Sequence, residues 1–304
     1  MSMRSVLVIG GAGFIGSALC QELTHRGIRV RSFDRAHREK RASNVEFVSG
    51  DFFKREDLLD ALEGVDAVVH ALGIVNPGNS DREFMRGYAG EFVQSALLFD
   101  ECARRGVSVL FVSSGGTVYG RQTAMPISET ALPSPINHYG ALKLCIETSM
   151  RAFAQRNGVR MVAARVANPY GPGQDYRKGV GFIDACVRKT LAGEPIEIWG
   201  DGKIVRDYIH IDDVSRMLAD LLDVEGGESV FNVSSGVGTS QLDVVGVLRE
   251  CGFCPRVRML PSRSVDTSTV VLDNSRIMAA CGARELVGFR KGVKRYIAQM
   301  ELAL

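Results

Sequence analysis

Tyr139 and Lys143 stand four positions apart in a stretch of helical character, so their side chains fall on one face, a single turn apart. An ammonium beside a phenol stabilises the phenolate, which lets the phenol act as a base below its ordinary pKa of about 10. A second set is Gly10, Gly13 and Gly16, directly after an apolar run rich in β-branched residues. Gly10 permits a tight turn, Gly13 lets the backbone approach a pyrophosphate, and Gly16 packs a helix against a sheet. That helix opens at Phe14 and Ile15, and its free N–H groups and positive dipole end suit phosphates. Asp34 closes the next apolar run, where a carboxylate takes the hydroxyls of an adenosine ribose and repels a 2′-phosphate. The expected cofactor is therefore NAD rather than NADP, with Arg35 beside Asp34 softening the preference. Cys251 and Cys254 form a CxxC, but no second pair or nearby histidine completes a zinc set, so no metal is expected.

The elements that must position these groups follow from pattern. Strands are expected at 5–9, 28–34, 45–48, 65–70, 107–113 and 159–166, with helices at 14–26, 54–63, near 82–105 and at 139–157. Apolar strands alternating with helices imply an α/β fold, a doubly wound parallel sheet of the Rossmann type, which binds ligands at the carboxyl ends of its strands. After residue 167 the rhythm changes. Residues 168–173 read as a loop, followed by helices at 182–192, 212–223, 240–250, 274–281 and 290–302 and strands at 196–199, 204–209, 229–233 and 256–260. The expected division is a cofactor domain over 1–166 and a smaller C-terminal α/β substrate lobe over 167–304, with some later elements able to rejoin the first domain.

Composition narrows the function classes. A length of 304 residues, 45% hydrophobic and 24% charged, is that of an ordinary globular protein. A net charge of +2 and the absence of a dense basic run give no electrostatic case for nucleic acid. No run is long and apolar enough to span a bilayer, and the glycines of the N-terminal apolar stretch argue against a targeting segment. Seven scattered cysteines fit free thiols in a reducing cytoplasm.

Taken together and in order, these motifs resemble the extended branch of the short-chain dehydrogenase/reductases, the NAD-dependent nucleotide-sugar epimerase/dehydratase family, with the UDP-glucose 4-epimerases as the nearest pattern. The residues that carry the resemblance are 10–16, Asp34, Gly50-Asp51, His70-Ala71, 113–120, 139–143 and 168–173. Farther on come Trp199-Gly200-Asp201-Gly202, 206–214 and Phe231-Asn232-Val233.

The resemblance implies roles. Asp51, with Phe52 after it, would meet the adenine; Ala71, Leu72 and Gly73 would lie along the cofactor; Ser113 would border it. Lys143 would also bond the nicotinamide ribose, and Tyr139 would take a proton from a sugar hydroxyl while hydride passes to NAD. The family's catalytic Ser or Thr falls at Gly115, so the hydroxyl must come from Thr117 or Ser114, with Thr117 favoured. Its active-site asparagine has no counterpart, because Gly87-Tyr88-Ala89-Gly90-Glu91 stands where Asn-Val-x-Gly-Thr is common.

In the second lobe Arg206 and Arg263 would fork onto a diphosphate, Asp266 would take ribose hydroxyls, Trp199 would stack on the base and Asn168 would bond the diphosphate or sugar. His70 reads as a packed strand residue, His210 as a strand end and Asp212-Asp213 as a helix cap, while His138 shapes the sugar site. The implied reaction is epimerisation at C4 of a nucleotide-diphosphate sugar, a UDP-sugar by family weight. The alternatives are a 4-keto-sugar reductase, then a 4,6-dehydratase or a non-catalytic dinucleotide sensor. The family also pairs two copies through the helices near 82–105 and 139–157, so a homodimer is expected.

Overall fold

The computed structural model describes residues 5–35, 44–225, 229–262 and 267–301. The chain opens with β1 (Ser5–Ile9), α1 (Phe14–His25) and β2 (Arg29–Asp34), then β3 (Val45–Ser49), α2 (Arg55–Ala61) and β4 (Ala67–His70). A π-helical segment, Arg86–Phe92, runs into α3 (Val93–Arg105). Next come β5 (Ser108–Ser114), the short α4 (Gly115–Val118), α5 (His138–Asn157) and β6 (Met161–Val166). The remainder comprises β7 (Asn168–Tyr170), α6 (Phe182–Leu191), β8 (Ile196–Trp199), β9 (Val205–His210), α7 (Ile211–Leu221) and β10 (Val230–Val233). It ends with β11 (Gly238–Ser240), α8 (Gln241–Glu250), β12 (Val257–Leu260), β13 (Thr269–Val270), α9 (Ser275–Cys281) and α10 (Phe289–Glu301).

Seven parallel strands form the main sheet in the order β10-β6-β5-β4-β1-β2-β3. The chain winds outward from β1 to β3, then returns to β1's other side with β4. That reversal opens a crevice outside the carboxyl ends of β1 and β4, where this architecture binds ligands. Both faces of β1 are covered: Val6 and Val8 pack with α1 and α7, Leu7 and Ile9 with α2, α3 and α5, and all four are inaccessible to solvent. A strand covered on both faces favours apolar side chains throughout, which is why it runs apolar from Val6 to Ile9.

One expectation changes. Asn168–Tyr170, read as a loop, is a strand pairing in parallel with β9, because the Pro169 ring leaves the edge pairing with Tyr208 and His210 intact. Val230–Val233 lies far along the chain yet completes the main sheet beside β6. Its Phe231 and Val233 bury themselves in the same core as Val6 and Val8. A third core, with Ile183, Val187, Ile198, Tyr208, Val244 and Tyr296, holds α6, α8 and α10 over β8 and β9. No helix among the described residues is long and apolar enough to cross a membrane.

Candidate active site

The turn after β1 is built by close approach. Gly10 has φ +80°, and a Cβ there would come within 2.8 Å of the Leu72 amide in the segment following β4. A Cβ on Gly16 would overlap the Gly10 carbonyl, and one on Gly13 would lie 3.0 Å from it. Gly10 and Gly16 have no room for a side chain and Gly13 is tight, and the turn leaves α1 starting at Phe14 with no side-chain cap. An uncapped N-terminus at the carboxyl edge of a parallel sheet fits a pyrophosphate. Asp34 is fixed at the end of β2: Oδ2 accepts from the Ala12 amide at 3.1 Å and Oδ1 from the Arg35 amide at 2.8 Å. Arg35 itself is exposed. Asp51 shapes the turn into α2, its Oδ1 accepting from the Phe53 amide at 3.0 Å.

Two expected cofactor contacts are relocated by packing. The Phe52 ring is buried, with its centroid 5.1 Å from that of His70, so only its backbone remains for a ligand. Ser113 is buried and donates to Glu147, which also pairs with Arg165 at 2.7 Å. Arg165 in turn lies 4.7 Å from the Tyr119 ring centroid, and Tyr119 donates to Asn232 Oδ1 at 2.7 Å. This buried network ties β5, α5, β6 and β10 together beneath the site.

Tyr139 occupies the first turn of α5, which Asn137 caps by accepting from the Gly140 amide at 2.8 Å. Gly140 is required for position, since a Cβ there would stand 2.5 Å from the Thr117 carbonyl. That approach sets the Tyr139 phenol beside Ser114, which eases its pKa down, and the Ser114 Oγ accepts from Thr117 Oγ1 at 2.9 Å. Ser114 is thus the hydroxyl beside Tyr139, and Thr117 is bonded to it in turn. Gly115 has no room for a side chain, as a Cβ would overlap Leu272 Cδ1 and lie 3.0 Å from the Arg165 carbonyl. Gly116 faces the Asn168 amide, which brings Asn168 to the same turn; its Nδ2 donates to the Asp207 carbonyl at 3.0 Å.

Lys143 is 3% exposed, its Nζ 5.7 Å from the Tyr139 ring centroid and 4.9 Å from that of Phe111. Its ion-pair partner is Glu91, at 3.2 Å. Glu91 is wholly buried, and its Oε2 accepts from the amides of Ile74 at 2.8 Å and Val75 at 3.4 Å. A Cβ on Gly73 would be 3.6 Å from Lys143 Nζ and 3.7 Å from Glu91 Oε1, so the strip 71–73 lies directly against this pair. Burial works against the Lys143 ammonium, but Glu91 and Tyr139 overcome it and raise its pKa. The Tyr139 phenol, expected to be depressed, is instead raised: burial dominates, Glu91 adds to it, and Lys143 and Ser114 only partly offset them. Sequence reading passed over Glu91. Its signal was a carboxylate at the family's threonine slot, within an apolar helical stretch.

In the second lobe Trp199 ends β8 and lines a cleft of about 560 Å³ with Ile204, Leu260, Pro261 and Ser268. Arg206 lies on β9, half-buried, two residues beyond Ile204. Arg263 and Asp266 lie outside the described residues. His210 caps α7 by accepting from the Asp212 amide at 3.3 Å, in place of the expected Asp212-Asp213 cap. Asp213 instead accepts from the Val287 amide at 2.8 Å. His138 stands between Phe84, stacked at 5.0 Å, and the Tyr88 hydroxyl at 3.3 Å.

Known proteins resemble this chain over most of its length. A UDP-glucose 4-epimerase from Azospirillum brasilense is 34% identical over 81% of this chain and 76% of its own length. A dTDP-4-dehydro-6-deoxyglucose reductase from Escherichia coli is 27% identical over 97% of this chain and 96% of its own. The crystal structure of UDP-glucose 4-epimerase with UDP-glucose from Thermotoga maritima superposes with a TM-score of 0.92 at 30% identity, covering 99% of both chains. The profile of the NAD dependent epimerase/dehydratase family matches residues 6–234. With the Gly10, Gly13 and Gly16 turn, Asp34 and the Tyr139-Lys143 pair on the chain, and with NAD-complexed structures among its likenesses, this chain is an enzyme that uses NAD, and it belongs to the NAD-dependent epimerase/dehydratase family.

Proposed function

We propose that the protein epimerises C4 of a nucleotide-diphosphate sugar, with a UDP-sugar as substrate. The observation that supports this reading is Tyr139 beside the hydrogen-bonded pair Thr117 and Ser114, with buried Lys143 next to its ring at the strip 71–73. NAD held on the glycine cradle supplies the hydride acceptor and then the hydride donor. Tyr139 takes the C4 hydroxyl proton as the carbinol is oxidised and gives it back on re-reduction, so the site ends as it began. Ser114 orients the C4 oxygen, and Thr117 holds Ser114. Lys143 keeps positive charge under the phenol throughout. Trp199 would take the base and Arg206 the diphosphate, supplying the binding energy that holds the sugar while its ring turns.

The likeness to the reductase from Escherichia coli favours one second reading, reduction of a 4-keto-sugar by the same residues. NMR of a panel of nucleotide sugars incubated with protein and catalytic NAD separates the two. A C4 epimer without net cofactor change supports epimerisation. Turnover only of a keto-sugar, with stoichiometric NADH or NADPH consumed, replaces it with reduction. The same reading includes a homodimer and a cytoplasmic site of action. Met85, Ala89, Val93 and Leu97, every fourth residue of the long helix, are exposed beside exposed Cys145, Thr148 and Ala152 of α5.

A further inference from the structure

We propose that Glu91 is a positioning residue of this site, fixing the Lys143 ammonium under Tyr139 and cancelling its charge so that the cationic, oxidised nicotinamide is accepted. The proposal rests on the reading above only in taking the strip 71–73 as a wall of the cofactor pocket.

Glu91 is built in rather than incidental. It sits in the π-helical segment, whose wider turn carries an extra residue, and wide turns of this kind recur at functional sites. The carboxylate is anchored by the Ile74 and Val75 amides from the segment after β4, and its backbone carbonyl accepts from Ser95 Oγ at 2.7 Å. Its free oxygen then has one partner, Lys143 Nζ. A lysine buried this deeply without a counter-ion would shed its proton or repel a cation placed beside it. Gly73 has no side chain, so nothing of its own stands between the pair and a ligand along the strip.

The other groups facing Lys143 do not take over this role. Tyr139 and Glu147 share its helix; Tyr139 is a neutral phenol in the cofactor-free protein, and Glu147 is already paired with Arg165. From β4 His70 approaches, and burial with the Lys143 charge lowers its pKa to about 3, leaving it neutral. From β5 Phe111 offers only its ring face. Glu91 is the compensating charge among the described residues.

The test needs no sugar, so its outcome is independent of which reaction the enzyme performs. The ratio of the dissociation constants for NAD⁺ and NADH is measured by titration calorimetry from pH 6 to pH 9, on wild type, Glu91→Gln, Lys143→Met and the double variant. In wild type the ratio is flat with pH. In Glu91→Gln the uncompensated ammonium raises it about tenfold at pH 6, and the rise fades toward pH 9 as Lys143 gives up its proton. Adding Lys143→Met removes the effect, because the charge responsible is gone. Lys143→Met alone shifts the ratio the opposite way at pH 9, where the bare carboxylate favours the cation, and this arm stands if Glu91→Gln does not fold. A ratio unchanged in both single variants, or a Glu91→Gln effect that persists without Lys143, overturns the proposal and leaves Glu91 a packing residue.

Discussion

Tyr139 sits under opposed influences, with burial and Glu91 holding its proton on and Lys143 and Ser114 easing it off. In the cofactor-free protein the first pair wins, so a base at this position needs further positive charge brought to the site. Tyr139→Phe keeps the ring and its packing but removes the proton carrier. Turnover should fall by about 10²–10⁴-fold while NAD binding, followed by calorimetry, stays within a few-fold of wild type. Full activity in that variant would sink the proton-transfer role. His70 supports a different prediction. Burial, aided by Lys143, lowers its pKa to about 3, whereas the unfolded imidazole titrates near 6.5. Below pH 6.5 the unfolded chain binds a proton that the folded chain refuses, so stability falls as pH falls, by up to about 1.4 kcal/mol per unit until about pH 3. His70→Gln keeps a donor for Ser95 and cannot titrate. Denaturant unfolding of both proteins at pH 7 and pH 5 should show wild type losing about 2 kcal/mol more than the variant, and equal losses would refute the assignment.

At the scale of elements, the site depends on how closely α5 approaches the turn after β5. Gly140 permits that approach, since an added methyl would stand 2.5 Å from the Thr117 carbonyl, which is backbone and cannot swing away. Gly140→Ala should therefore cost about 1–3 kcal/mol in denaturant unfolding and also reduce turnover by separating Tyr139 from Ser114. A variant as stable and active as wild type would show the turn to be free to shift. The opening βαβ unit could be read from the chain because its signals are local: the doubly buried strand runs apolar from Val6 to Ile9, and Gly10 and Gly16 have no room for a side chain. Tyr139 and Lys143 were legible for the same reason, being one helical turn apart. Features that depend on partners distant in sequence were not. Asn168–Tyr170 is a strand only because β9 is there to pair with it, and Val230–Val233 joins β6 across more than sixty intervening residues. Glu91 meets Lys143 at a separation of 52, and nothing in its immediate neighbours announces that pairing. Phe52 and Ser113 follow their motifs in sequence but turn their side chains to the core, a choice made by His70 and Glu147 rather than by local pattern.

Over the whole molecule, the distribution of exposed apolar surface bears on assembly. Phe84, Met85, Val93 and Leu97 of the long helical segment are 39–61% exposed, whereas Phe99 and Ala103 farther along α3 are packed inside. Covering the half of each side chain that is still open stabilises by roughly 1 kcal/mol, so a row of four on one helix favours association. The adjoining face of α5 presents the small residues Cys145, Thr148 and Ala152, which allow a second pair of helices to come close. Two copies related by a two-fold axis would bury both faces in a four-helix interface. Sedimentation at micromolar concentration should give twice the chain mass of 33.1 kDa. Val93→Asp with Leu97→Asp should shift the protein to the monomer, because four carboxylates would then meet across the axis without partners. The Tyr139 helix would lie in the same interface, so the monomer should also turn over more slowly. A monomeric wild type would remove the pairing, and a dimeric double variant would place the interface elsewhere.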